Sequence, residues 1–506
     1  MTVASRLTTA ERSGVRALER SLTHAANYAD WLRLAREHDA LSGAQEWRAE
    51  EDNQLFDATD IRRRRDRLER ATRVRDVEEL LFALNEGIHG NISGMGNPKL
   101  YSVAKAGTKT LIEDYISAIN DALELIADAG EETVPFAEKL DFFRRASLCY
   151  GRSALTLSGG GGLIYFHHGV VEALLEQQLL PSVLSGSSAG SWVCAQLGTR
   201  TDAELEDYFV RKRYQVDDRA IAAEMMFPRG PAADPGLVTR QLESTIESSV
   251  ENMTFAEAFE QSGRHINISI ASADRHHRAR LLNAITSPNV TLRSACRASS
   301  SLPHAIEPAV LEAKNRQGQV IPYLPTQRWI DGAFSEDLPM KRLARLYGAN
   351  HFIVSQINAL SVIAPFIRPE RKSGNDGLLH QSSQMWFLGM KQTSRILQTL
   401  LPFIPDVFGS SLATFRELID QDFSGDVTIS ARFHKGTMNQ FMFNYVDDQE
   451  IVSRIEEGRQ ATWPRMEQIR NATTVSRTLD RILAQLELEA GMRPAGTPGA
   501  LAAQAH

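Results

Sequence analysis

The pentapeptide GSSAG at Gly186–Gly190 constrains this chain more than any other feature. In PSVLSGSSAGSWVCA, Val183–Ser185 reads as a short strand and Ser191–Ala195 opens a helix, with Gly186 and Gly190 flanking the reversal. A strand that turns into a helix within so few residues puts the corner residue, Ser188, into strained backbone geometry. Glycine is called for at both flanks because a Cβ there meets the strand or the helix. The pattern is that of a nucleophile elbow, and the helix start adds a positive dipole end.

Upstream, SALTLSGGGGLIYFHHGVVEALLEQ reads as strand, glycine loop and helix. Ala154–Leu157 is apolar, and Phe166, Val170, Leu174 and Leu175 recur at helical spacing. The loop Gly159, Gly160, Gly161, Gly162 can aim backbone amides at an oxyanion. A phosphate cradle is the competing reading, but the Lys and Ser/Thr that close a P-loop are absent, and no GxGxxG fingerprint lies over Gly159–Gly162.

An activated serine needs a base. The 13 histidines offer no convincing partner: His167 and His168 fall in the helix after the glycine loop, His276 and His277 in the charged stretch ADRHHRAR, and His351 at the head of an apolar strand. In QRWIDGAFSEDLPM, Asp331 follows Trp329–Ile330 and precedes Gly332–Ala333 at what reads as a strand end, where a carboxylate can itself act as base. Local sequence alone suits an ordinary Asp-Gly turn no less.

SGGGG, GSSAG and DGA in this order resemble the three signatures of patatin-like phospholipases. The resemblance implies a Ser-Asp dyad without histidine: Ser188 as nucleophile, Asp331 as its base, and an oxyanion hole among Gly159, Gly160, Gly161 and Gly162. The family's glycine loop commonly continues with a basic residue and another glycine, where this chain has Leu163 and Ile164. LLNAITSPNVTLRSACRASSSLP (Leu281–Pro303), WIDGAFSEDLPM and GNISGMGNPKLYSVAKAGTKTLIEDYI (Gly90–Ile116) further resemble the branch that includes fungal and plant triacylglycerol lipases, which carries an extra domain before the catalytic one. The resemblance implies a serine acyl hydrolase of acylglycerol lipids, triacylglycerol above all, with no cofactor.

At 506 residues the chain has room for two or three domains with buried cores. A net charge of −7 gives no nucleic-acid footprint, and the basic run DIRRRRDRLER at Asp60–Arg70 has acids interleaved. It reads as a solvated or domain-contacting face, with an anionic-lipid site as the alternative. Cys149, Cys194 and Cys296 make neither a metal spacing nor an even disulfide set, so no metal site is expected and a reducing compartment is favoured. No signal-like or membrane-spanning apolar run appears, so the expectation is a cytoplasmic chain that meets a membrane or lipid droplet peripherally.

Residues 1–150 read as a helical domain. Asp76 and Glu79 make a capping-box-like start ahead of Leu80, Leu81, Leu84 and Ile88, and a second face runs through Leu111, Ile112, Tyr115, Ile116, Ile119, Leu123 and Ile126. Residues 151–349 alternate apolar strands with helices, which predicts a three-layer α/β fold around a mainly parallel sheet. Residues 350–490 read as a largely helical region packing on or extending the catalytic domain, with a polar helix broken near Pro464, and 491–506 as a disordered tail. Met385–Phe408 carries Trp386, Met390, Leu397, Leu400 and Phe403 among few charges, a pattern that suits a core helix or an interfacial one. Two other functions stay open: a noncatalytic lipid-surface scaffold, and a lysophospholipid acyltransferase. The second is weakened because no histidine is followed five positions later by aspartate.

Overall fold

A computed structural model describes residues 8–51, 54–211, 235–274, 279–302, 306–358, 361, 421, 423–432 and 448–492. The segment 385–408 and the tail beyond 492 lie outside the described residues. The chain forms two compact units, each discontinuous in sequence. One comprises residues 1–153, 344–351 and 462–506, the other residues 154–343 and 352–461. Within the span 350–490, residues 350–351 and 462–490 fall in the first unit and 352–461 in the second.

The first unit is helical, with α1 (Thr9–Leu22), α2 (Tyr28–Ser42), α3 (Ala44–Ala49), α4 (Ala58–Val74), α5 (Val77–Asn85), α6 (Thr110–Asp128) and α7 (Phe136–Tyr150). Asp76 caps α5 by accepting the Glu79 N–H at 3.0 Å, and Leu80, Leu81 and Leu84 are buried behind it. All seven apolar positions read along α6 are buried. Burying such a side chain contributes about 1.5–3 kcal/mol, against about 1 kcal/mol for a cap, so packing rather than capping holds this unit. The partner that closes its core comes from the far end of the chain: Val475, Leu479, Ile482 and Leu486 pack into the same cluster as Ile112, Ile119, Leu123 and Phe143. The basic run lies on α4, where Arg64 pairs with Asp60 at 2.9 Å, Arg65 with Asp66 at 2.7 Å and Arg67 with Glu86 at 2.9 Å. Its charge is therefore largely spent on carboxylates of its own unit.

The second unit is α/β. Its strands are β1 (Arg152–Leu157), β2 (Val183–Gly186), β3 (His265–Ser272), β4 (Arg280–Leu282), β5 (Leu311–Lys314), β6 (Val320–Tyr323), β7 (Trp329–Asp331), β8 (Ala349–Gln356) and β9 (Val427–Ser430). Among the described residues the main sheet runs β4-β3-β2-β1-β8-β9, with β7 also on β3, while β5 and β6 form a separate hairpin. The pairs β1–β2, β2–β3 and β8–β9 are parallel, and β4 and β7 run antiparallel to β3. The helices are α8 (Ile164–Glu176), α9 (Ala189–Gly198), α10 (Asp202–Leu205), α11 (Pro235–Ser249), α12 (Phe255–Ser262), α13 (Leu292–Ser299), α14 (Met340–Tyr347), α15 (Asp448–Thr462) and α16 (Met466–Met492), the last belonging to the helical unit. The helix expected to break near Pro464 does so: a 3₁₀ turn at Trp463–Arg465 separates α15 from α16, because proline lacks the N–H that the ladder needs.

Strand order reverses at β1, with β2 on one side and β8 on the other, so the crevice lies at the carboxyl ends of these strands. Two glycines let helices close on each other nearby. A Cβ on Gly169 of α8 would sit 1.9 Å from the Ile455 carbonyl oxygen of α15, and one on Gly458 would sit 2.2 Å from the Phe166 oxygen. Gly169→Ala should therefore destabilise the protein by about 2–3 kcal/mol in urea unfolding. Gly130→Ala, whose Cβ meets nothing within 4 Å, should stay within about 0.5 kcal/mol of the parent.

Candidate active site

Three chain segments that leave the sheet converge at this crevice. The pairing of Leu157 with Gly186 starts the glycine loop and the serine turn side by side. Pairing of β7 with β3 sets Asp331 opposite Ile270, two residues beyond the Ile268 that pairs with Gly186. Asp331, remote in sequence, thereby arrives beside Ser188.

Ser188 has φ 48° and ψ −122° at the start of α9. A non-glycine residue held there carries about 1–3 kcal/mol of strain, which the surrounding structure must over-determine. Close backbone approach supplies that constraint. A Cβ on Gly186 would stand 2.2 Å from the Gly190 oxygen, and one on Gly190 would stand 2.2 Å from the Leu157 oxygen. The turn packs backbone on backbone, and any side chain at either position forces it open. The Ser188 N–H donates to Ser299 Oγ at 2.9 Å, and Ser299 Oγ donates to the Ser269 carbonyl at 2.8 Å, tying the corner to α13 and β3. Ser188 is the one residue between Val183 and Gly198 that is not buried.

Asp331 is buried at 1% exposure, and the Ser188 hydroxyl lies close enough to bear on its proton affinity. The Ala333 N–H donates to Asp331 Oδ1 at 2.9 Å. Gly332 is needed between them, because its Cβ would fall 2.2 Å from the Ser269 oxygen. Burial pushes the Asp331 carboxyl up to about 7; the nearby Ser188 hydroxyl and the Ala333 N–H work against this, and the neighbouring Asp337 charge adds to it.

The glycine loop lies against both. A Cβ on Gly159 would meet Ala333 Cβ at 3.0 Å and Ser188 Cβ at 3.2 Å. The Gly159 N–H is already donated to Asp337 Oδ1 at 2.8 Å. The amides of Gly160, Gly161 and Gly162 donate to no other group among the described residues. Gly161 and Gly162, like Ser188 and Ala333, are partly open to solvent.

Several residues here carry no sequence signal of their own. Asp337, 1% exposed, accepts from Gly159, from the Ser187 hydroxyl and from Asn358 Nδ2 at 3.0 Å. Its own N–H donates to Gln421 Oε1 at 2.9 Å. Ser299 sits in the run SACRASSSLP, where nothing local marks it out. His167 is structural: it bridges the Ser158 carbonyl at 2.9 Å and Ser355 Oγ at 2.7 Å, and burial pulls its imidazole down to about 4, so it stays neutral. His351 bonds Ser153 Oγ at 2.9 Å.

Sequence comparison places this architecture among known proteins. Residues 155–344 match the model described as patatin-like phospholipase, and residues 8–148 match a domain of unknown function, DUF3336. A patatin-like phospholipase domain-containing protein of Aspergillus niger is 31% identical over 94% of this chain and 66% of its own length. Others so named are 30% identical: from Aspergillus terreus over 94% of this chain and 70% of the relative, and from Pyricularia oryzae over 92% and 62%. The chain thus spans only about two thirds of these relatives. The crystal structure of VipD from Legionella pneumophila aligns at a TM-score of 0.25 and 10% identity, over 61% of this chain and 67% of that one, too slight a likeness to bear on the site. Over nearly its whole length the chain matches these relatives, and it belongs to the patatin-like phospholipase domain-containing proteins.

Proposed function

We propose that this protein is a serine hydrolase of carboxylic esters in acylglycerol lipids, triacylglycerol first among them, acting by a Ser188–Asp331 dyad. The observation that carries the reading is the placement of the strained, half-open Ser188 beside a buried carboxylate whose affinity for protons lies near neutral pH. In the proposed reaction Asp331 takes the Ser188 Oγ proton as that oxygen bonds to the ester carbonyl carbon. The tetrahedral oxyanion is received by the amides of Gly160, Gly161 and Gly162, Gly159 being committed to Asp337. Collapse breaks the bond to the alcohol oxygen, which leaves with the proton held by Asp331. Water then adds to the acyl-enzyme, giving its proton to Asp331, and the fatty acid departs as Ser188 recovers its own.

No helix among the described residues is long and apolar enough to cross a membrane. A peripheral encounter with a membrane or lipid-droplet surface, and a cytoplasmic setting, accompany the proposal.

Ser188→Ala should abolish hydrolysis of a soluble short-chain ester with folding retained, and Asp331→Asn should lower kcat by about 10²–10⁴-fold. An alanine scan of the histidines should contain no folded variant as damaging as Asp331→Asn. One that matched it would replace the dyad by a triad.

The base must be ionised to accept a proton, so kcat/KM of the parent should rise with pH through about 7. Stability should run the other way. The native state holds this proton more tightly than the unfolded chain, so the stabilisation is present at low pH and is lost as pH climbs from the ordinary aspartate range through about 7. Asp331→Asn, which carries no charge at any pH, should therefore raise Tm relative to the parent at pH 8.5 more than at pH 5. An equal shift at both would contradict the burial of a titrating carboxylate.

A further inference from the structure

Asp337 is a second carboxylate in the crevice, and the proton transfers above do not use it. Its oxygens collect donors from three separate chain segments: the Gly159 amide at the head of the glycine loop, the Ser187 hydroxyl on the serine turn, and Asn358 just past β8. Its backbone N–H reaches Gln421 Oε1 at 2.9 Å, and Gln421 Nε2 donates to the Ala333 carbonyl at 3.1 Å, which joins the Asp331 turn to the same cluster. Gly159 directly precedes the amides that would receive an oxyanion, and Ser187 directly precedes Ser188. We propose that Asp337 is a positioning residue for ester hydrolysis, a buried anionic clamp that sets the distance between the glycine-loop amides and the Ser188 oxygen. This rests on the serine-hydrolase reading above.

A buried charge is expensive, and a neutral side chain would link two segments at lower cost. A carboxylate is the side chain that accepts from three donors at once, with charge-assisted bonds stiffer than neutral ones. Oxyanion stabilisation depends on donors fixed in place before the reaction, and misplacement of a reacting group by about 1 Å can reduce rate about 10²-fold. The clamp also acts on the base. Asp337 is the charged group that bears on Asp331, whose other partners are the Ser188 hydroxyl and the Ala333 amide, and its negative charge favours the protonated form of Asp331. Burial raises the proton affinity of Asp337, and the donors that face it, Ser187, Asn358 and Gly159, oppose that rise.

The test is Asp337→Asn, which keeps shape but puts a donor among donors, measured as steady-state kinetics on a soluble p-nitrophenyl short-chain ester across pH with a parallel melting curve. The expected result is kcat lower by about 10²-fold with KM within about threefold. The acid limb of the residual activity should move to lower pH, a shift that loss of folding alone does not produce. A folded variant with parental kcat, or a kcat that falls only in step with the folded fraction while the limb stays put, overturns the proposal. If Asp337→Asn does not fold, Ser187→Ala removes one donor and keeps the carboxylate. It should lower kcat about tenfold at unchanged KM, and an unchanged kcat overturns the proposal. Parental kinetics in these variants leave the dyad standing, whereas a parent enzyme that hydrolyses no ester sinks both.

Discussion

The left-handed backbone of Ser188 is the constraint around which the site is arranged. A serine at φ 48° is tolerated only where several contacts agree on it, and here they come from backbone packed directly on backbone at Gly186, Gly190 and Gly332. The same closeness brings β1, β2 and β7 to one crevice. Exposure follows as well: the elements around the serine are sealed, and Ser188, Gly161, Gly162 and Ala333 are what solvent reaches. Strain, access and the approach of the base thus share one cause.

Around that corner stand two buried carboxylates with different neighbours, one of them the base of the proposed reaction. Asp331 has few partners, and burial keeps its proton affinity high, which suits a base that must take and return a proton near neutral pH. Asp337 is buried no less, and burial raises its proton affinity too, but donors from Ser187, Asn358 and Gly159 work against that rise. The two carboxylates thereby differ in their partners: Asp331 faces the serine, and Asp337 gathers donors from three loops. The neighbouring imidazole of His167 is spent on tying Ser158 to Ser355 and stays neutral, so it belongs to the scaffold.

Local chemistry was legible in the sequence where short-range rules govern it. The strand, turn and helix around Ser188, the buried face of α6, the cap at Asp76 and the break at Pro464 each follow from spacing, turn chemistry or proline within a few residues. What depends on pairing between distant segments was not. DGA alone suits a turn, and only the antiparallel pairing of β7 with β3 turns Asp331 toward the serine. Ser299, Asp337, Asn358 and Gln421 are ordinary polar residues until the fold brings them together. The apolar stripe of α16 looks like any amphipathic helix, and nothing in its periodicity says that it completes a core built by residues 56–150. Both compact units are assembled from stretches separated in sequence, an association that local spacing does not carry.

The central claim is that Ser188 is a nucleophile activated by a carboxylate. Labelling the full chain with a fluorophosphonate and mapping the adduct by peptide mass spectrometry tests it most directly, because the probe reacts with an activated serine oxygen and needs no lipid surface. A single adduct on Ser188 is expected, formed much more slowly in Asp331→Asn. An adduct on another serine, or labelling of Ser188 at parental rate without Asp331, would contradict it.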